Sequence, residues 1–330
     1  MAEEIALGVL ATLSEMGFCG RQAAAAAHGS ELTALIGLGL KAPVPSLMKL
    51  VTDVPRVLWI GEPMLPPSPA HDWRGPNPRA RVFESGRAAW RALPEGRFRC
   101  AVGRLGGPAA GNEPWHNLET ALGLARVCDA VAVTSRDQVA PLTLAGAPVE
   151  VVPYGYSPHI YGALWPSGER DIEVLALGGH SGPTCGRRRE WVGRWRKDGL
   201  NVTVAENLWG ESRTAMLRRT RVVVEVHRFP GTFVGIRLAM ALAAGAAVVS
   251  EPMTDPCPFV PGAHFVEAAV DRVADETRAL LADEPRRRRI VEAGQALLAE
   301  ELTMTRSLTA VLALLDRAAQ GLKERTASTT

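Results

Sequence analysis

The chain has 330 residues, 47% of them hydrophobic and 22% charged, which is enough apolar content for a large buried core and argues against a disordered chain. Lys and Arg number 37 against 35 Asp and Glu, so the formal net charge of +2 excludes a broad polyanion-binding surface, and nucleic acid with it, but not a local anion site. Cys19, Cys100, Cys128, Cys185 and Cys257 form no C-x-x-C pair, which argues against a structural zinc or a redox dithiol. The acidic start Met1-Ala-Glu-Glu4 is unlike a signal peptide, and no apolar run reaches the ~18–20 residues of a membrane span. A cytoplasmic protein is the expectation, with the high Ala, Arg and Gly content pointing to a bacterial gene.

Residues 3–52 read as helices, over 4–16, around 23–27 and over 31–40, until Pro43 and Pro45 break the pattern. Arg56-Val-Leu-Trp-Ile60 is a short apolar run that reads as a buried strand. A proline-rich loop follows from Pro63 to Pro78, then a helix over 83–93, a strand over 98–102 and a glycine-rich loop over 103–111. The pattern next predicts a helix over 115–126, a strand over 129–134 and a strand over 149–152, with Ser135 capping a helix between the last two. Strands then fall at 172–177, 201–204, 222–226, 247–250 and 265–267. Helices fall at 188–198, 212–219, 233–244, 273–282, 284–300 and 304–322. Such alternation builds parallel sheets covered by helices on both faces, with ligands at the carboxyl ends of the strands. Pro153-Tyr-Gly-Tyr-Ser-Pro158 continues neither kind of element and marks the division. The expected organisation is a helical segment at 1–52, α/β domains at 53–152 and 153–310, and a closing helix and tail at 311–330.

Three clusters carry candidate chemistry. Gly178-Gly-His-Ser-Gly182 ends a strand and leads to Arg187-Arg-Arg189; backbone amides at Gly179 and His180 and guanidinium forks at Arg187 and Arg188 suit phosphate oxygens, although a plain turn with solvated arginines reads equally well. The strand ending at His227 and Arg228 is followed by Gly231 and Thr232, whose amides and hydroxyl at a helix start would also meet an anion. Arg237 stands on an apolar helix and must pair, snorkel or meet an anion, because an unpaired buried guanidinium is costly. Glu251 opens the third cluster, a loop to Gly262 with four prolines that is placed to rim the site.

The ordered set Val151-Val-Pro-Tyr-Gly-Tyr-Ser-Pro158, Asp171-Ile-Glu-Val-Leu-Ala-Leu-Gly178, Val223-Val-Glu-Val-His-Arg228, Gly235-Ile-Arg237, Ala243-Ala-Gly-Ala246 and Phe259-Val-Pro-Gly262 resembles the C-terminal half of GT-B glycosyltransferases, above all the CgeB-like, family-4-type group. The resemblance spans residues 149–315 and, before them, only 129–152. It implies two Rossmann-like domains facing a central cleft, the first (53–152) for the acceptor and the second (153–310) for the nucleotide-sugar donor, with extra N-terminal helices. A nucleoside-diphosphate sugar would serve as co-substrate, held by Gly179, His180, Arg187, Arg188, His227, Arg228, Gly231, Thr232, Arg237 and Glu251, with no metal or other cofactor. Relatives often carry a glutamate three residues after the helix arginine; here that position is Met240, so donor recognition differs, or Glu225 or Glu251 replaces it, or the domain has lost activity. The absence of a D-x-D pair fits a metal-independent reaction. Catalytic groups from the first domain would be His116, His71 and Asp72, with Glu62 a further candidate base. The expected activity is sugar transfer to an acceptor hydroxyl or amine, and family-4 similarity suggests retention of configuration. The acceptor is read as a small molecule or natural product, and a homodimer is compatible with this reading. A nucleotide-sugar epimerase and a non-catalytic nucleotide-sugar-binding protein are the alternatives.

Overall fold

The computed structural model describes residues 2–18, 20, 33–41, 44–62, 64, 113–143, 145–166, 168–180, 185–228 and 230–327. After helix α1 (Ala2–Glu15), a first sheet forms from β1 (Leu35–Leu38), β2 (Arg56–Ile60), β3 (Ala130–Val133) and β4 (Val149–Val151), parallel and in that spatial order. Helices α2 (Val44–Leu50), α3 (Glu113–Ala125) and α4 (Val139–Thr143) accompany it. After the short α5 (Pro158–Tyr161), a second parallel sheet has the order β6-β5-β7-β8-β9, from β5 (Ile172–Leu177), β6 (Val202–Ala205), β7 (Thr220–Glu225), β8 (Ala247–Ser250) and β9 (Val266–Glu267). Its helices are α6 (Gly186–Lys197), α7 (Gly210–Arg218), α8 (Gly235–Ala243), α9 (Val273–Ala282) and α10 (Glu284–Ala296). A wide π turn (Leu297–Glu301) then leads into the long α11 (Met304–Ala327).

The central strands are apolar without interruption because both of their faces are covered. Alternate residues feed different cores. Leu58, Ile60, Val131 and Val133 pack with Leu118, Leu124 and Leu142 on one side of the first sheet. Val174, Val222, Val224 and Val249 pack with Val192, Trp195 and Leu280 on one side of the second. The remaining faces share a third cluster, in which Val57 and Trp59 of the first sheet and Leu175, Val223 and Val248 of the second join α1, α8 and α11. Helix α8 is buried almost all round, as an apolar helix between layers must be.

The segment between the sheets is pinned. The Tyr156 amide donates to Leu302 O at 2.6 Å, the Met304 amide to Tyr156 O at 2.7 Å, and Ser307 Oγ to Pro153 O at 2.8 Å. These bonds fix the start of α11, which then runs back across β2 and β3. Glu4 on α1 ties the N-terminus to the second sheet's layer: its carboxylate accepts from the Gly210 amide at 2.5 Å and pairs with Arg213 at 3.0 Å.

Most predicted elements of the second half appear within one or two residues of the expected bounds, and 172–177, 247–250 and 273–282 coincide with them. Two expectations are overturned, and the lesser is Ser135, whose hydroxyl bonds the Asp137 carboxylate and caps no backbone amide of the 3-10 turn Arg136–Gln138. The helix predicted over 31–40 is strand β1, so the segment read as helical up to residue 52 supplies the edge of the first sheet. Gly37 explains the difference, because a Cβ there would lie 2.9 Å from both Met48 Sδ and Val44 Cγ1, where α2 presses onto the strand. Helix α2 forms despite Pro45, since proline near a helix start loses no internal hydrogen bond. The helices expected at 23–27 and 83–93, the strand at 98–102 and the loop at 103–111 lie outside the described residues.

Gly155 is the tightest point of the junction: a Cβ there would come within 2.2 Å of the Thr303 carbonyl. Overpacking of this kind costs about 1–3 kcal/mol. Gly155→Ala is therefore expected to lower the urea midpoint by a corresponding amount. Gly123→Ala, on α3 with nothing within 4 Å of the added carbon, should leave it unchanged or raise it.

Candidate functional site

The carboxyl ends of β5, β7 and β8 meet in one corner, and the turn after β5 opens it. Gly178 has φ of +100°, a conformation that favours glycine. A Cβ on Gly178 would lie 3.3 Å from Arg188 Nη1 and 3.7 Å from Arg237 Nη1, so two guanidiniums converge on this turn. Arg188, from the first turn of α6, is buried; its Nε donates to Val226 O at 2.7 Å and its Nη1 to Gly179 O at 3.2 Å. Burial first, and then the Arg237 charge, pull its pKa down to about 9. Arg237 of α8 pairs through Nη1 with Glu225 Oε2 at 3.0 Å. Glu225 ends β7 with its other oxygen, Oε1, buried and unpartnered. Burial raises the pKa of this carboxyl, and the nearby Arg237 and Arg188 charges only partly counter it.

A second pair braces the corner from the side. Arg187 holds Glu251 in a two-bond fork, Nη1 to Oε1 at 2.5 Å and Nη2 to Oε2 at 2.6 Å, and Nη1 also donates to His227 O at 2.8 Å. Glu251 Oε1 accepts the His227 amide at 2.5 Å as well. The His227 ring is fully buried, with Nε2 at 3.1 Å from Ser250 Oγ. Because that hydroxyl donates its proton to Glu251 O at 2.9 Å, Nε2 carries the ring proton and Nδ1 is left as an unpartnered acceptor. Burial, and then the Arg237, Arg187 and Arg188 charges, hold the ring neutral, with a pKa well below the ordinary value.

His180 completes the floor. Its Nδ1 donates to Gly178 O at 2.6 Å, which leaves Nε2 as the acceptor, and its amide donates to Glu206 Oε1 at 2.8 Å. Arg189 Nη1 donates to His180 O at 2.9 Å and holds the turn from the other side. Burial lowers the His180 pKa.

Of the residues predicted for this site, Gly179, His180, Arg187, Arg188, His227, Arg237 and Glu251 come together. Arg228 lies half-buried just beyond β7. Gly231 and Thr232 do not open a helix as expected. Helix α8 begins at Gly235, and Gly231 instead bridges to Met253 and accepts the Thr254 amide at 2.9 Å. Met240 is 1% exposed and belongs to the shared apolar cluster. Glu225 and Glu251, the two proposed substitutes for a glutamate there, are each engaged by an arginine. His116 falls on the first turn of α3, and His71 and Asp72 lie outside the described residues. Ser250 and Glu206 were missed; each is a polar residue at or just after the end of an apolar strand, and that position was the available signal. Among the described residues, no group of three or more His, Cys, Asp or Glu could hold a metal ion, and no helix is long and apolar enough to cross a membrane.

The neutral His227 makes stability depend on pH. Its folded pKa is lower than the unfolded ~6.5, so the unfolded chain binds the extra proton and stability is lost as pH falls below about 6.5. One such proton gives a slope of up to about 1.4 kcal/mol per pH unit. Urea unfolding at several pH values between 7.5 and 5 should show a shallower loss for His227→Asn than for the wild type.

Residues 158–313 match the model of a family described as glycosyl transferase-like. No curated protein matches the chain in sequence. Among solved structures, TarM of S. aureus aligns over 94% of this chain and 58% of its own, at 12% identity and a TM-score of 0.52. The chain thus spans less than two thirds of TarM. HepE of Anabaena, solved in complex with UDP and glucose, aligns over 86% of this chain and 99% of its own, at 13% identity and a TM-score of 0.50. Two parallel α/β sheets in this arrangement are the GT-B fold, and that is the fold of this chain.

Proposed function

We propose that the protein is a glycosyltransferase that binds a nucleoside-diphosphate sugar at the carboxyl ends of β5, β7 and β8 and passes the sugar to a small-molecule hydroxyl or amine. The observation that carries this reading is the convergence of Arg188 and Arg237 on the Gly178 turn. Among Arg187, Arg188, Arg237, Glu225 and Glu251, positive charge exceeds negative by one, and like charges held together in a partly buried corner favour an anionic ligand. The match of residues 158–313 to a glycosyl transferase-like family and the UDP complex of HepE support the same reading.

In this mechanism the diphosphate is the leaving group, and fixed guanidiniums stabilise the charge that grows on it as the bond to the sugar breaks. Arg188 and Arg237 supply that charge, which removes the need for a metal ion. Arg187 has another role, because both of its terminal nitrogens are taken by Glu251. It braces His227 and the loop behind it. The unpartnered His227 Nδ1 and Glu225 Oε1 are acceptors suited to donor hydroxyl groups. The burial of Met240 favours one second reading, a protein that binds a nucleotide sugar without turning it over.

Calorimetry with UDP-, GDP-, ADP- and dTDP-glucose tests the proposal. One of these donors should bind, and Arg237→Lys should weaken it by about 1.5–3 kcal/mol, roughly 10- to 150-fold, with the fold intact. Failure of all four to bind would overturn the assignment. Binding without release of nucleoside diphosphate in the presence of acceptors would favour the non-catalytic reading.

A further inference from the structure

Ligands of parallel α/β sheets dock at the carboxyl ends of the strands. The first sheet has a hollow of about 470 Å³ at the other end. Arg56 opens β2 there, Asp129 directly precedes β3, and Pro148 directly precedes β4. The last turn of α2 adds Lys49, and Arg126 follows the end of α3.

The charge of this lining is one-sided. Among the described residues, three cations, Lys49, Arg56 and Arg126, line it against one carboxylate, Asp129. That carboxylate is engaged by Arg56: its Oδ2 accepts from the Arg56 amide at 3.0 Å and from Nε at 3.3 Å. Lys49 and Arg126 are exposed and make no hydrogen bond or ion pair with a described residue. Cys128 also lines the hollow, but burial pushes its thiol up to about 12, so it stays neutral near pH 7 and adds no negative charge. Asp53 is not part of the lining, and its Oδ1 accepts the Thr52 amide at 3.2 Å.

Two helices end at this hollow, and the free carbonyls of a helix end disfavour an anion. Here they are in part already satisfied. Arg56 Nη1 donates to Met48 O at 3.3 Å and to Val51 O at 3.1 Å, at the end of α2. At the end of α3, Leu124 O accepts the Val127 and Cys128 amides, each at 2.9 Å. Arg56 thus neutralises both the α2 terminus and Asp129, and leaves the charges of Lys49 and Arg126 uncompensated.

Two surplus positive charges match a phosphate monoester, which carries about −1.5 to −2 near neutral pH. The volume of about 470 Å³ falls within the ~300–1,000 Å³ of small-molecule sites. The short side chains of Ala125, Ala145 and Ala147 leave room in it for a body the size of one sugar ring. We propose that this hollow binds a small phosphorylated molecule, with the phosphate held by Lys49 and Arg126, at a site separate from the donor corner of the second sheet. The site selects by charge: the same body without its phosphate has nothing to offer the two cations.

The test uses the full chain at low ionic strength, where exposed charges are least screened. Glucose 6-phosphate is the probe and glucose the uncharged control, each titrated by calorimetry. The phosphate should bind the wild type at least ten-fold tighter than glucose. Lys49→Ala combined with Arg126→Ala, both at exposed positions, should weaken it ten-fold or more. Thr52→Glu, which places a carboxylate at the lining and removes no cation, should do the same. Arg237→Lys should leave it within two-fold. No binding of the probe to the wild type, or equal binding of glucose, would overturn the site. So would a loss in Arg237→Lys with none in the hollow's variants, since the phosphate would then sit in the donor corner. UDP-glucose, titrated separately, should bind the double variant and the wild type alike. If UDP-glucose binds neither while glucose 6-phosphate still depends on Lys49 and Arg126, the donor reading falls and this site stands.

Discussion

A guanidinium cannot be left unpaired inside a protein, and the second sheet ends in a corner where the buried Arg188 meets the half-buried Arg187 and Arg237. The fold meets this with carboxylates from other strands: Glu225 from the end of β7 against Arg237, and Glu251 from the residue after β8 against Arg187. Arg188 leans on the carbonyls of Val226 and Gly179. Each of these bonds requires a strand to end at a set residue. The register of β5, β7 and β8 and the positive φ of Gly178 therefore serve one electrostatic arrangement. Removing one partner of such a pair leaves the other charge uncompensated, which is why the corner behaves as a unit.

The two pairs differ in what they leave available. The Arg187–Glu251 fork is closed, with both terminal nitrogens and both oxygens used. The Arg237–Glu225 pair is joined through Nη1 and Oε2 and keeps an unpartnered carboxylate oxygen, Glu225 Oε1. One pair is thus saturated and the other keeps an open oxygen. The loop from Glu251 links this corner to the first sheet through Asp255 and Arg136. The shared apolar cluster, the pinned Tyr156 and the return of α11 join the two sheets behind it.

How much was legible in the sequence follows from how local each cause is. Strands β5 and β8 and helix α9 were readable because unbroken apolar runs and helical periodicity are properties of neighbouring residues. The start of α10 was readable for the same reason: Asp283 accepts the Arg286 amide at 2.9 Å as an N-cap and Pro285 follows inside the first turn. Strand β1 was misread because Leu35-Ile-Gly-Leu38 has too few residues to show a period, and its state is set by pairing with β2 and by the pressure of α2 on Gly37. Within the site, Arg237 was correctly marked as a residue that must find a partner. Arg187 was taken for a ligand contact because nothing near it in the chain reveals Glu251, 64 residues later.

The sequence by itself determined the alternation of strand and helix, the presence of two parallel sheets, and the enrichment of arginine, glycine and histidine at strand ends. These depend on short-range periodicity and turn chemistry, which any reading of neighbouring residues recovers. Only the tertiary structure decided that Arg187 is locked in a closed fork while Arg237 holds its carboxylate by one oxygen, which nitrogen of His227 carries the proton, and that Glu62 and Gln138 stand together on the opposite sheet. Those outcomes depend on distances between residues far apart in the chain. A hydrogen bond or ion pair is decided within a few tenths of an ångström, a scale that only the packed strands and helices fix.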